Sequence, residues 1–402
     1  MTTILHRLLR GVLLIVALAW SSHLALAQEA PFPIPEGLEG AVEFWKQIFS
    51  RYDSDDVVLF DPLDPEKIYS VLRVPENEQG RARVSKERAR IATDYDLVDD
   101  ATRIRSQRGA KNHLIEGLKV SGRYMAEMQK IMRAEGLPIE LAFLPLVESS
   151  FNIRARSAVG AVGMWQFMPE TGKKFMRIDS AVDERRDPLA STRAAARLLK
   201  QNFQILGSWP LAITAYNHGT EGIFRAISAV GSRDLAELVR RYDGPNFGFA
   251  SKNFYAEFLA VVDIAANRES FFPYLREHRP VKLLEVPLNR PAALHAVLKP
   301  AAISHNDFFA WNPALEPNIK VLPLDYRVRL PVEKVDSFLV AHGRVIDAAT
   351  VRKGAVAKTP TGKTGALKRE RNAKRTIKAK STLASGKVKS SAIATRQGAK
   401  VL

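Results

Sequence analysis

Leu137 to Met168, LPIELAFLPLVESSFNIRARSAVGAVGMWQFM, is the stretch on which the reading of this chain turns. Leu137, Ile139, Leu141, Ala142, Phe143, Leu144, Leu146 and Val147 leave no polar stripe at helical or strand spacing, and a helix that is apolar all round belongs in a core. Gly136 ends whatever precedes it, and Pro138 suits a first helical turn. The pattern predicts a buried helix running into Glu148, followed by a loop over 152–163 in which Ser157, Gly160 and Gly163 let the backbone approach a ligand closely. A carboxyl at the far end of such a helix lies near unpaired carbonyls and loses hydration, and both effects favour its protonated form. A general acid working near neutral pH needs that property. The plain alternative is a glutamate that reaches solvent where the helix stops.

Upstream, Val42 to Tyr52 places Phe44, Trp45, Ile48 and Phe49 at helical spacing, as a docking helix would. The apolar run Val57 to Phe60 lies between turn residues and suits a strand or a buried extended segment. Asp53, Asp55 and Asp56 lack the Gly and the closing Glu of a calcium loop, so a turn is expected there. From Glu66 to Gly136 the chain is charged and helix-permissive, ending in a face of Tyr124, Met125, Met128, Ile131 and Met132 that suits a core.

Downstream, Asp187-Pro188 reads as a cap and a first-turn proline for a helix stopped at Gly207. Pro210 opens another helix, broken by Gly219, while Ser232 and Ser251 are expected to cap two more. Near Pro280 the text changes. VKLLEVPL and Tyr326 to Leu330 are strand-like and enclose two short helical stretches, Pro291 to Leu298 and Ser304 to Trp311, which makes a small β-α-α-β unit. The expected fold class is mainly α. The expected organisation is a signal peptide over 1–27, a mostly helical extension over 28–110, a helical core domain over 111–275, an accessory module over 276–345 and a basic disordered tail over 346–402.

Arg7 and Arg10, the apolar run Gly11 to Trp20 and Ala25-Leu26-Ala27 read as a secretory signal, with a retained membrane anchor as the competing reading. The expectation is export to the periplasm or cell envelope. With no cysteine there is no disulfide and no lipid-modified Cys anchor, and the scattered histidines show no metal-ligand spacing. No metal or cofactor is expected. Of the net charge of +17, residues 351–402 supply +14, from 15 Lys or Arg against Glu370 alone. That tail lacks the interleaved aromatics of a nucleic-acid binder, so no nucleic acid is expected; an anionic envelope polymer or membrane surface is the natural partner, and a solvated tail with no partner the alternative.

The polar residues of the helical stretch are Glu148-Ser149, Ser157, Gln166 in Gly163-Met164-Trp165-Gln166, Tyr216-Asn217 after Ala215, and Tyr255. Singly, each has a structural reading as helix end, turn former, cap partner or half-buried core residue. In this order they resemble the family 1 lytic transglycosylases, and the flanks resemble the membrane-bound lytic murein transglycosylase D subgroup. The resemblance implies a lysozyme-like helical fold that cleaves the β-1,4 bond between N-acetylmuramic acid and N-acetylglucosamine in peptidoglycan and leaves 1,6-anhydromuramyl ends. It implies Glu148 as acid and then base, and Ser157 and Gln166 at the muramyl N-acetyl region. Tyr216 and Tyr255 would line the cleft, Asn217 would support the Tyr216 loop, and Ser149 and Met168 would complete the substrate-binding set, with Phe167 beside Met168 as a subsite wall.

Met164-Trp165 stands where the family has Leu-Met, which is expected to keep an apolar wall. His218 follows the Ala-Tyr-Asn element where a small residue is common, and either contacts glycan or sits on the surface. The accessory module resembles a degenerate glycan-binding repeat. Ordinary glycosidases need two carboxylates. Glu170, Asp179, Asp183, Glu184 and Asp187 sit in contexts more typical of surface, which leaves Glu148 as the one good candidate. A hydrolytic muramidase on the same fold and a non-catalytic peptidoglycan-binding envelope protein are the competing functions. If the tail holds the protein to an anionic surface, sacculus or vesicle sedimentation will fall with added salt and with deletion of 351–402; salt-independent binding excludes that role.

Overall fold

The computed structural model describes residues 31–280, 282–288 and 290–343. The expected signal peptide and basic tail lie outside the described residues. The fold is mainly α and divides into two units, a larger one of residues up to 179 and 183–280, and a smaller one in which 180–182 join the chain from 281 onward.

In the larger unit, helix α1 (Glu39–Ser50) buries Val42, Phe44, Trp45, Ile48 and Phe49, the face its spacing predicts. Strand β1 (Asp56–Asp61) follows the turn at Asp53 to Asp56, where Asp53, Asp55 and Asp56 pair with Arg73. Strands β2 (Asp64–Arg73) and β3 (Arg105–Arg108) flank β1 in an antiparallel sheet of order β2-β1-β3. The start of the 66–136 stretch is therefore strand, which corrects the helical reading of that text. On an outer strand most side chains of β2 meet water, so the alternation that betrays a half-buried strand is absent, and main-chain pairing to β1 decides the conformation. Helix α2 (Glu78–Asp94) is capped by Asn77 and buries only Gly80 and Ile91.

Next come α3 (Lys111–Ser121) and α4 (Met125–Ala134), the latter burying Met128 and Met132 as expected. The apolar stretch beyond Gly136 is not one helix. Ile139–Phe143 form a 3-10 turn, and a new helix α5 (Leu144–Ser149) starts with Pro145 in its first turn. A proline has no amide hydrogen for an i−4 carbonyl, so the hydrogen-bond ladder restarts there. Two successive left-handed residues, Ser150 (φ 51°) and Phe151 (φ 57°), then end α5 one residue after Ser149.

Beyond α6 (Pro169–Gly172), helix α7 (Pro188–Leu206) begins and ends where the sequence says. The Asp187 carboxylate accepts from the amides of Leu189 and Ala190, and Gly207 (φ 74°) closes the helix. Helices α8 (Trp209–His218), α9 (Thr220–Val230), α10 (Leu235–Arg241), α11 (Phe249–Ala266) and α12 (Arg268–Phe271) complete the unit. Two expected caps are corrected. Asp234, not Ser232, caps α10, and Ser251 lies inside α11. Helix α11 is the central one and packs against α1, α5 and α8. Trp45 Nε1 donates to Asn253 Oδ1 at 2.8 Å, and Phe44 stacks on Phe60 with ring centroids 4.1 Å apart. The described part of this segment, over 31–110, thus shares one core with the helices that follow.

The smaller unit pairs β4 (Leu283–Pro287) with β7 (Arg327–Pro331) around α13 (Leu294–Leu298) and α14 (His305–Trp311), with a two-residue pair of β5 (Ala292–Ala293) and β6 (Val321–Leu322). Ser304 caps α14 through the Asp307 amide. A final helix over 332–343, missed in the sequence, follows β7. Because Phe44 is buried and stacked on Phe60, Phe44→Ala is expected to cost about 3–5 kcal/mol and to lower the midpoint of the larger unit in a single transition by chemical denaturation. A separate early transition for the N-terminal elements would show that their core is independent.

Candidate active site

Glu148 occupies the last turn of α5, half-buried, beside Ser149, which is buried. The loop that follows has no regular structure beyond two single-residue pairings, and its core segment over 160–167 is largely buried. Buried carbonyls outside helices and sheets need donors, and here side chains supply most of them. Ser149 Oγ donates to the Met164 carbonyl at 2.9 Å, and the Tyr216 hydroxyl from α8 donates to the next one, Trp165, at 2.8 Å. Gln166 Nε2 reaches back to the Gly163 carbonyl at 2.7 Å. The Arg185 guanidinium bonds the Gly160 and Phe167 carbonyls at 3.1 and 3.2 Å.

Arg185 is held in turn by Asp183, with Nε and Nη2 donating to its two carboxylate oxygens at 2.9 and 2.8 Å. Both side chains are buried, 7% and 8% exposed. Burial alone would raise the Asp183 pKa, but the hydrogen bond and charge of Arg185 outweigh it and hold the carboxyl below its ordinary value of 3.8. Gly163 (φ 78°) lies so close to the Arg185 backbone that a Cβ there would come within 1.9 Å of the Arg185 carbonyl oxygen. Only glycine fits this crossing.

The structure brings Ser149, Gln166 and Tyr216 together on the Gly163–Phe167 element, but as donors to its backbone. Ser157 is also buried, and its hydroxyl accepts from the Ala161 amide at 2.9 Å, closing the turn. Gln166 sits in left-handed backbone (φ 48°). Met168 is half-buried and extended at the start of α6. Phe167, Met164 and Trp165 are at most 1% exposed, which corrects their expected place as subsite walls. Phe167 packs edge-on to Tyr216, and Trp165 Nε1 bonds Thr192.

Asn217 accepts from Ser251 Oγ of α11 at 2.9 Å, tying the end of α8 to the start of α11. His218 is buried rather than on the surface. Its ring is edge-on to Phe247 and pressed against α9, where a Cβ on Gly222 would fall 2.4–2.5 Å from it. Burial, with the Arg225 charge, lowers its pKa, so it is neutral at pH 7. Tyr255 does not line a cleft. Its ring is 1% exposed and its hydroxyl donates to the Pro33 carbonyl at 2.9 Å, so burial pushes its pKa up. One residue is 100° of helix, and position 255 falls on the side of α11 that faces the N-terminal segment.

The acids that follow Glu148 as far as Asp187 are already engaged. Glu170 pairs with Lys173, Asp179 with Arg177, and Asp183 with Arg185. Glu184 accepts from the Arg177 amide, and Asp187 caps α7. The burial of Asp183 and Asp187 corrects their expected surface position. Glu257, which the sequence reading passed over, is 1% exposed on α11. An acid at a core-facing helical position between Phe254 and Val261 was the available signal.

The sequence pattern of the Transglycosylase SLT domain matches residues 126–239. The matched stretch takes in Glu148, Ser149, Ser157, Gln166, Met168, Tyr216 and Asn217 and ends before Tyr255. The chain is 30% identical over 198 residues to the membrane-bound lytic murein transglycosylase D of Escherichia coli (strain K12), covering 48% of this chain and 43% of that protein. It is 41% identical over 99 residues to a putative tributyltin chloride resistance protein of Alteromonas sp. (strain M-1), covering 24% and 48%. The chain thus spans about half the length of the curated relatives it matches. A crystal structure of the lytic transglycosylase Slt from Pseudomonas aeruginosa aligns over 36% of this chain and 24% of that one, at 22% identity and a TM-score of 0.30, too partial to bear on the fold. Among the described residues, no helix is long and apolar enough to cross a membrane.

Removing the Arg185 side chain leaves the buried Asp183 carboxylate without its guanidinium and takes a donor from the Gly160 and Phe167 carbonyls, so Arg185→Ala is expected to lose about 3–5 kcal/mol in urea denaturation. The sign with pH follows from the depressed Asp183 pKa. Its stabilisation is complete above 3.8 and is lost as the pH falls through the lower folded value, so the wild-type acid limb should be steeper than that of the variant.

Proposed function

We propose that the SLT domain cleaves the β-1,4 bond between N-acetylmuramic acid and N-acetylglucosamine of peptidoglycan without water, leaving 1,6-anhydromuramyl ends. One observation carries the reading: half-buried Glu148 ends α5 where a locked loop begins, and the carboxylates that follow it, from Glu170 to Asp187, are all committed to other partners. A hydrolytic glycosidase needs a second carboxylate as nucleophile or as base for water.

A single acid suffices if the substrate supplies the rest. Glu148 gives its proton to the glycosidic oxygen as the bond to muramyl C1 breaks, and the 2-acetamido carbonyl stabilises C1. The carboxylate then takes the proton of the 6-hydroxyl as that oxygen bonds C1. Glu148 ends protonated, no water is consumed, and the anhydro ring closes within one sugar. Holding the 6-hydroxyl against C1 makes this step intramolecular. The locked loop supports it by fixing the backbone that follows Glu148 before the sugar arrives.

Digestion of purified sacculi followed by mass spectrometry of the products tests the reading. Anhydromuramyl ends are expected, whereas reducing muramic ends alone would establish a hydrolase. Glu148→Gln should lower turnover by about 10²- to 10⁴-fold or more while sacculus binding persists. Full activity in that variant would remove Glu148 from the chemistry, and binding without turnover in the wild type would leave a scaffold.

A further inference from the structure

Between Glu148 and Glu170 the chain has no other acid and two bases, Arg154 and Arg156. Both are exposed, while Ala155 between them and Ser157 beyond them are buried. Neither guanidinium has an ion-pair or hydrogen-bond partner among the described residues, in contrast to Arg177 and Arg185 farther along.

Their backbone is nevertheless fixed. The Arg154 amide donates to Asn152 Oδ1 at 2.9 Å, and the Ala155 carbonyl accepts from the Gly163 amide at 2.9 Å. Arg156 pairs with Val162, which in turn pairs with Phe167. The two bases are thus carried on the same locked loop as Gln166, six and eight residues after Glu148. Two long cations with no internal partner, on a rigid base, present an anion site in solution, and a guanidinium forks onto a carboxylate with two parallel hydrogen bonds.

On a peptidoglycan strand the disaccharide backbone is uncharged where each muramyl lactyl group carries a peptide, and the carboxylates belong to that peptide. We propose that Arg154 and Arg156 form a subsite for the carboxylates of the stem peptide, so that strands bearing peptides are favoured over bare glycan. The subsite rests on the glycan-cleaving reading for its place beside the reaction, but the binding it predicts does not require turnover.

The test uses the full chain and two substrates, soluble strands with intact stems and the same strands stripped by an amidase. For R154A/R156A, kcat/KM on stem-bearing strands should fall about tenfold with little change on stripped strands, and the wild-type preference should shrink with added salt. Equal loss on both substrates, or loss on neither, overturns the subsite. Binding is measured separately with the Glu148→Gln protein and labelled stem-bearing strands whose carboxylates are free or amidated. Weaker binding on amidation, abolished as a difference in R154A/R156A, supports the subsite even if the wild type cleaves nothing, a result that would sink only the catalytic reading. Amidation without effect refutes it.

Discussion

The buried loop over 160–167 imposes one requirement on everything around it: its carbonyls have left water and must find donors. Gly160, Gly163, Met164, Trp165 and Phe167 are served by Arg185, Gln166, Ser149, Tyr216 and again Arg185. These donors come from α5, the loop itself, the turn before α7, and α8. Satisfying one short segment therefore fixes where those elements stand relative to Glu148. The Asp183–Arg185 pair is the costly member, since both charges are buried. It persists because the guanidinium divides its donors between a carboxylate and two carbonyls and leaves little of its charge unanswered.

This changes the meaning of the polar residues. Ser149, Gln166 and Tyr216 look like substrate ligands when read as a string, and in the structure their donors face the protein backbone. On the proposed reading their contribution is rigidity: a site whose dipoles are fixed beforehand does not reorganise as charge develops on a bound sugar. Asn217 and Ser251 extend the same logic by linking α8 to α11, with neutral His218 filling the space between. Arg154 and Arg156 are the opposite case, held by their backbone while their side chains remain available.

Much of the helical scaffold was legible. The buried face of α1, the Met stripe of α4, and both ends of α7 follow from apolar spacing, the Asp187 cap and Gly207, all local signals. Strand β2 was not, because its conformation is set by pairing to β1 and its own side chains meet water. The start of α5 was misplaced because Pro145 outweighs an apolar pattern that speaks only of burial. Tyr255 was assigned to the cleft from its order in the chain, although the direction of a helical side chain changes by 100° with each residue.

By itself, the sequence determined much of the helical scaffold, that Glu148 ends an apolar segment, and an order of motifs similar to the Transglycosylase SLT pattern, because periodicity, caps and residue order are written along the chain. Only the tertiary structure decided that Asp183, Arg185 and Asp187 are buried, that the motif donors serve backbone carbonyls, and that Tyr255 turns to Pro33. Those outcomes depend on which groups meet after distant segments pack, and the free energy of a buried polar atom is set by the partner it finds there.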